Sequence, residues 1–460
     1  MRSLNVLLVT YSFPPVGGTG VMRAASLARY MPEAGIRLDV LTTRNPAAVG
    51  KDPGLLKNIP ESVTIHRTLT LDLPFGVKKF IKRLLTRRGK SAPKTDAAAA
   101  EPAINPGLLK RLIGGTLLPD PQVTWYPILT RSAARIVRQR KIDLVLITVP
   151  PFSNLLLIEY LRQRFPKLLI VADFRDEWLT TSFEHVSFLF TRDEKAQRVA
   201  TQIENSAVTN ATAVVAVTEA SRRTIRGRYP HLPESKFQLV PNGYDATRLP
   251  VITGAATQPA DSRVTLTHVG TVYSTGAPTT LVEAVKLLPP EIQSRLKLKF
   301  IGHIEEPRFR ESLLALGNMV ELKGFIPQKE ALAAMKETDY VLLLNHDPLN
   351  VGSKFYDYIG GGKPVLGAVH PGGDTRRLLE ETGAGWWAAI DDVDGIRKLL
   401  EDAVIGRDSL LQDFRPDKAK VAQYERRVLA HRYAALLRSL AGLDQSSDLQ
   451  TVGAAAQEVR

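Results

Sequence analysis

The chain has 460 residues, of which 44% are hydrophobic and 23% charged, an ordinary globular composition with room for two domains that each bury a core. It contains no cysteine, which excludes disulfides, thiol nucleophiles and cysteine-ligated metals, and its eight histidines show no ligand spacing, so no metal site is expected. A formal net charge of +14 calls for a polyanionic partner: nucleic acid, anionic lipid or a pyrophosphate-bearing substrate.

Short apolar runs alternate with helix-period stretches from the N-terminus onward. Val6-Leu7-Leu8-Val9 stops at Thr10, too short for a secretory h-region, and reads as a first buried strand over Asn5–Thr10. A helix follows Gly20, then strands over Arg37–Thr43, Asp143–Thr148, Leu168–Asp173 and Ala213–Thr218, with helical stretches such as Asn154–Phe165 between them. Continuous apolar strands alternating with helices predict a parallel sheet covered on both faces. The periodicity lapses over 250–262, read as a linker, and resumes with strands at Val264–Val269, Leu296–Ile301, Tyr340–Leu344 and Pro364–Val369. The predicted class is therefore α/β, two doubly wound Rossmann-like domains facing across a cleft. The expected layout is an N-terminal domain over 1–249 and a C-terminal domain over 263–415. A helix or broken pair over 416–440 is expected to pack back towards the first domain, ahead of a disordered tail over 441–460. No run approaches the roughly 20 apolar residues of a membrane span, so a cytoplasmic protein is expected.

One segment departs from this pattern. The insertion over 74–118 is basic, and Val77–Lys94 holds eight cations and no acid, with an apolar stripe between them. Lys78, Lys79, Phe80, Lys82, Arg83 and Leu84 are the expected contacts of a helix lying in the headgroups of an anionic membrane. A surface helix with a solvated basic face is the competing reading. Nucleic-acid binding ranks third, because no aromatic residues alternate with the cations as stacking platforms.

After the first strand runs Tyr11-Ser-Phe-Pro-Pro-Val-Gly-Gly-Thr-Gly20. Glycines before a helix N-terminus allow close backbone approach and present amides to an anion. A dinucleotide fingerprint is the disfavoured rival: its third glycine would fall at Arg23, and strand two ends in Thr42-Thr43-Arg44 without the ribose-binding acid.

This opening resembles that of GT-B glycosyltransferases of family 4: Phe-Pro-Pro, Gly17-Gly18-x-Gly20, Arg23, then Gly35 before strand two. Asp173-Phe-Arg-Asp-Glu-Trp178 resembles the "DFRDPW" variant of one branch, and Pro241-Asn-Gly-Tyr-Asp245 its "PNGxD" turn. Gly270-Thr-Val-Tyr273 and Gly324-Phe-Ile-Pro327 sit where the family places strand ends, and Ser353-Lys-Phe-Tyr-Asp-Tyr-Ile-Gly-Gly-Gly-Lys-Pro364 is very like "SKLFEYLAAGKP". The resemblance spans nearly the whole chain except the basic insertion and the tail.

The last motif also has a physical reading. Ser353 is a candidate N-cap, which puts Lys354 in the first helical turn. A cation there is unfavourable unless an anion binds the amides, and a nucleoside diphosphate supplies one. Asp357 stands three residues on, where the resemblance implies a ribose contact; a capping acid is the competing reading. Gly17, Gly18, Gly20, Arg23, Gly270 and Gly302 complete the expected donor site, with Phe325 and Ile326 at the base. Two departures stand out: the family's first acid is replaced by Leu349, leaving Asp347 as the nearest carboxylate, and Ser274–Pro278 carries no cation for the diphosphate.

Asp173, Arg175 and Asp176 at a strand end are the catalytic candidates, either as a self-satisfied ion cluster or as groups that activate an acceptor hydroxyl and bind its phosphate. Trp178 reads as a sugar platform or as core. The resemblance implies a retaining glycosyltransferase that uses a nucleotide-diphosphate sugar without metal or other cofactor. A lipid-linked or glycan acceptor at the inner membrane face is the expected second substrate. A catalytically weakened nucleotide-sugar binder in a surface-polysaccharide assembly is the alternative, and a basic nucleic-acid-binding protein the remote one.

Overall fold

The computed structural model describes residues 3–46, 50–70, 118–180, 194–249, 263–272 and 279–443. The basic stretch Val77–Lys94 with its membrane-contact candidates, the linker over 250–262, the loop over 273–278 and the tail beyond Leu443 lie outside these residues. By spatial clustering the chain divides into two units. The first comprises Met1–Ala216, Ile225–Gln238 and Tyr433–Gln445; the second comprises Val217–Thr224, Leu239–Arg432 and Ser446–Arg460.

The first unit is built on a seven-stranded sheet. Its strands are β1 (Leu4–Val9), β2 (Ile36–Thr43), β3 (Thr64–Thr68), β4 (Leu144–Val149), β5 (Leu169–Phe174), β6 (Ala213–Ala216) and β7 (Phe237–Leu239), in the order β3-β2-β1-β4-β5-β6-β7. The pairs from β3 through β6 are parallel, with β1 registered between β2 and β4. β4 and β6 are buried at every position, as expected of central strands covered by helices on both faces. Leu7, Val9, Val145, Ile147, Ile170 and Ala172 form the centre of its core.

The second unit repeats the plan with β8 (Val264–Val269), β9 (Leu296–Ile301), β10 (Val320–Gly324), β11 (Tyr340–Asn345), β12 (Val365–Val369) and β13 (Gly385–Ala389). These form one parallel sheet in the order β10-β9-β8-β11-β12-β13. In each unit the order reverses beside the first strand, at β1/β4 and at β8/β11. Such switch points open a crevice at the strand C-termini, where ligands of doubly wound sheets bind.

The predicted strands are all present, Val264–Val269 and Leu296–Ile301 with the same bounds and the others shifted by one or two residues at an end. β3, β7, β10 and β13 were not predicted, and each lies at a sheet edge. The stretch from 416 to 440 is a broken pair, Lys418–Ala422 and Arg426–Leu440. At the break the Glu425 carboxylate caps the second helix by accepting from the amides of Arg427 at 2.7 Å and Val428 at 3.1 Å. Asp392 caps the Val393–Ile405 helix, accepting from the Gly395 amide at 2.9 Å. Among the described residues no helix is long and apolar enough to cross a membrane.

Candidate functional site

In the first unit the glycine loop leads from β1 into the Thr19–Tyr30 helix. Gly18, at φ +102°, is its N-cap, with no side-chain cap and no acid in the first turn, so the leading amides carry their positive potential uncompensated. Gly17 and Gly20 line a cavity of about 170 Å³ with Thr10, Ser12, Val16, Val21, Pro150 and Arg175. The Arg175 guanidinium donates to three carbonyls: Val149 at 3.1 Å, Pro150 at 2.5 Å and Gly20. It therefore staples the glycine loop to the C-terminal end of β4. Burial pushes its pKa down from the usual arginine value, yet a guanidinium remains cationic and keeps positive charge against the cavity.

Arg23 and Asp173, assigned from sequence to different roles, form one ion pair. The Arg23 Nη2 lies 2.8 Å from Asp173 Oδ1 and its Nε 3.0 Å from Oδ2. The Tyr433 hydroxyl, from the Arg426–Leu440 helix, donates to the same Oδ1 at 3.2 Å, and the Arg23 guanidinium lies 5.5 Å from the Tyr433 ring centre. Asp173 and Tyr433 are fully buried. Burial, reinforced by the neighbouring carboxylate, holds the phenol well above its ordinary pKa, so it remains a donor. This geometry places Arg23 on Asp173, inside the first unit. It also leaves Asp176, which is exposed, as the accessible carboxylate of the motif. Tyr433 carried no sequence signal, being one aromatic in an amphipathic helix.

Beyond Asp176 the motif is anchored from below. Glu177 accepts from the Thr180 amide at 2.8 Å and pairs with Arg228 at 2.7 Å. Arg228 also pairs with Glu204 at 2.8 Å, and Glu204 accepts from the Trp178 indole at 2.7 Å and the Tyr229 hydroxyl at 3.1 Å. Trp178 is 2% exposed and stacks on Phe152 with centroids 4.2 Å apart. It is core, and the sugar-platform reading is corrected accordingly.

In the second unit three successive strand ends carry glycines at positive φ: Gly270 at +146°, Gly302 at +139° and Gly324 at +64°. The Gly270 amide donates to Ile301 O at 2.8 Å and the Gly302 amide to Gly324 O at 2.7 Å, linking the three into a row. A Cβ at Gly302 would overlap the Gly270 carbonyl, so this position requires glycine for space as well as for φ. Lys354 borders the row: a Cβ on Gly270 would lie 3.6 Å from its Cγ. Phe325 follows the row with its ring 89% exposed, and Ile326 is half-buried.

Lys354 belongs to the Ser353–Gly360 helix, whose N-cap is Gly352 with no side-chain cap; Ser353 is the first helical residue, which corrects its capping assignment. The Lys354 ammonium lies 3.0 Å from Asp357 Oδ2, an i,i+3 pair. Both groups therefore meet at one helix start, with the cation held beside uncapped amides. Tyr356 and Tyr358 are buried packing residues, and the Tyr358 hydroxyl accepts from the Val269 amide at 2.8 Å.

Asp347, the carboxylate nearest to Leu349, is used within its own loop. It accepts from the amides of Leu349 at 2.8 Å and Asn350 at 3.3 Å and from the Asn350 side chain at 2.8 Å. The Leu349 carbonyl in turn accepts from Ser221 Oγ at 3.0 Å and Thr218 Oγ1 at 2.5 Å. This loop is a braced backbone structure.

Solved structures share this doubly wound, two-unit fold. HepE from Anabaena, solved in complex with UDP, superposes with a TM-score of 0.59 at 15% identity, covering 95% of this chain and all of that one. Sucrose-phosphate synthase from Thermosynechococcus elongatus gives 0.60 at 14% identity, with coverage of 96% and 100%. The α,α-trehalose 6-phosphate synthase from Burkholderia multivorans gives 0.60 at 12%, with coverage of 96% and 98%. At such identities the likeness is one of fold, and the fold it defines is GT-B, two doubly wound α/β domains. Within the chain, residues 84–248 match the model of Glycosyltransferase Family 4. No curated protein sequence matches the chain.

Proposed function

We propose that the chain transfers a glycosyl group from a nucleoside-diphosphate sugar, with retention and without a divalent cation, to a lipid-linked or glycan acceptor at the cytoplasmic membrane face. The observation that carries this reading is the second unit's glycine row bordered by Lys354 at an uncapped helix start. There a diphosphate can approach the backbone closely, and the ammonium with the helix amides stabilises the charge that develops as it leaves. These groups supply the positive potential that a metal ion provides elsewhere. In the first unit Asp176 is the candidate to orient or deprotonate the acceptor hydroxyl. The half-buried cation of Arg175, which lines the cavity, favours an acceptor that carries phosphate. The complexes with UDP described for HepE support a uridine donor.

The test is nucleoside-diphosphate release from UDP-, GDP- and ADP-sugars. One donor should turn over, and Lys354→Ala should lower kcat/KM by about 10- to 100-fold, the range of a charge-assisted hydrogen bond. A second reading, a nucleotide-sugar binder within an assembly complex, is favoured by the commitment of Asp347 to its own loop. Tight nucleotide binding with no turnover of any donor would select it.

A further inference from the structure

We propose that the outer face formed by the Tyr126–Gln139 and Leu156–Arg164 helices of the first unit docks on an anionic lipid bilayer. This deepens the membrane clause of the preceding proposal and rests on no assumption about catalysis.

The Tyr126–Gln139 helix contains no acid. Its buried side carries Leu129, Ala133, Ile136 and Val137, which leaves Arg131, Arg135 and Arg138 exposed in a stripe of helical period. Arg131 to Arg138 spans about 10 Å along the axis. The Arg138 guanidinium stands 5.4 Å from the Phe165 ring centre, which joins the stripe to the end of the second helix and its exposed Arg164 and Lys167. Lys141, also exposed, follows the end of the first helix. None of these six cations forms an ion pair with an acid among the described residues. Of the nearest acids, Asp143 accepts from the Asn5 amide at 2.9 Å, and Glu159, the one exposed acid of the second helix, accepts from Ser206 Oγ at 2.7 Å.

An unpaired cationic stripe on a rigid helical face complements a surface of uniform negative charge. Each basic residue near such a surface contributes additively, and the attraction is screened by salt. A bilayer is favoured over nucleic acid because no exposed aromatic side chain stands among the cations to stack on bases.

The full chain would be sedimented with phosphatidylcholine vesicles, with and without phosphatidylglycerol. The triple variant Arg131→Gln, Arg135→Gln, Arg138→Gln alters only exposed side chains. It is expected to lower partitioning onto the anionic vesicles by about a hundredfold at low salt. Release of nucleoside diphosphate from a soluble donor should be unchanged, so failure of the sugar-transfer reading is seen separately. Unchanged partitioning of the variant would overturn the proposal, including the case in which a Val77–Lys94 deletion alone abolishes it. Equal loss on neutral and anionic vesicles would also overturn it, as would loss of duplex DNA binding with lipid binding intact.

Discussion

Asp173 illustrates how a carboxylate that looks catalytic in sequence is used in the fold. Its oxygens accept from Arg23 and Tyr433 in a fully buried setting, where removing one partner would leave an uncompensated charge. The exposed Asp176 is therefore the carboxylate of the motif to which the proposed function gives the acceptor. His268 is a second buried titratable group, on β8 beneath Gly270. Its Nδ1 lies 3.1 Å from Leu342 O, so the proton sits on that nitrogen, and burial pushes its pKa from 6.5 down to about 4. A histidine depressed in the folded state binds its proton first in the unfolded chain. Stability is therefore lost as pH falls from 6.5 towards 4, by on the order of 3 kcal/mol. Urea unfolding across this window should show the loss, and His268→Phe should flatten it. An unchanged slope in that variant would assign the pH dependence to other groups.

Among elements, the Ser353–Gly360 helix was legible because one motif holds its start, its polar first turn and its terminal glycines. What holds that glycine end was not legible. Gly360 sits against the Tyr244 ring, and a Cβ there would fall within it, so the "PNGxD" turn and the lysine motif are packed together in the second unit. Gly360→Ala would raise intrinsic helix propensity, yet overpacking against Tyr244 should destabilise the protein by about 2–3 kcal/mol. A lowered midpoint in chemical unfolding is the expected result; a raised one would mean that Tyr244 moves aside freely. The strands divide in the same way. Central strands are covered on both faces and appear as continuous apolar runs. β3 and β10 are half-buried or exposed along their length, alternate with polar residues such as His66, Arg67, Glu321 and Lys323, and give no such run. β13 reads Gly-Trp-Trp-Ala-Ala, and the three residues of β7 are too few to show any period.

For the whole molecule, the charge of +14 required an anionic partner, and both proposals place parts of it: Lys354 at a diphosphate and the arginine stripe at a lipid surface. The proposed metal-free mechanism also belongs to this scale, since it depends on the summed potential of a lysine and helix amides. Transfer should proceed unchanged in excess EDTA, measured as nucleoside-diphosphate release; a catalytic cation is worth several kcal/mol, and its removal would lower the rate by orders of magnitude. By itself the sequence determined the two α/β units, the central strands and the lysine helix, because apolar periodicity and glycine placement are local and are written in consecutive residues. Only the tertiary structure decided what the candidate residues do. Arg23, Asp173 and Tyr433 are separated by 150 and 260 positions in the chain, and Asp347 is spent within its own loop. Which polar groups satisfy one another is set by burial and three-dimensional proximity, and local spacing carries neither.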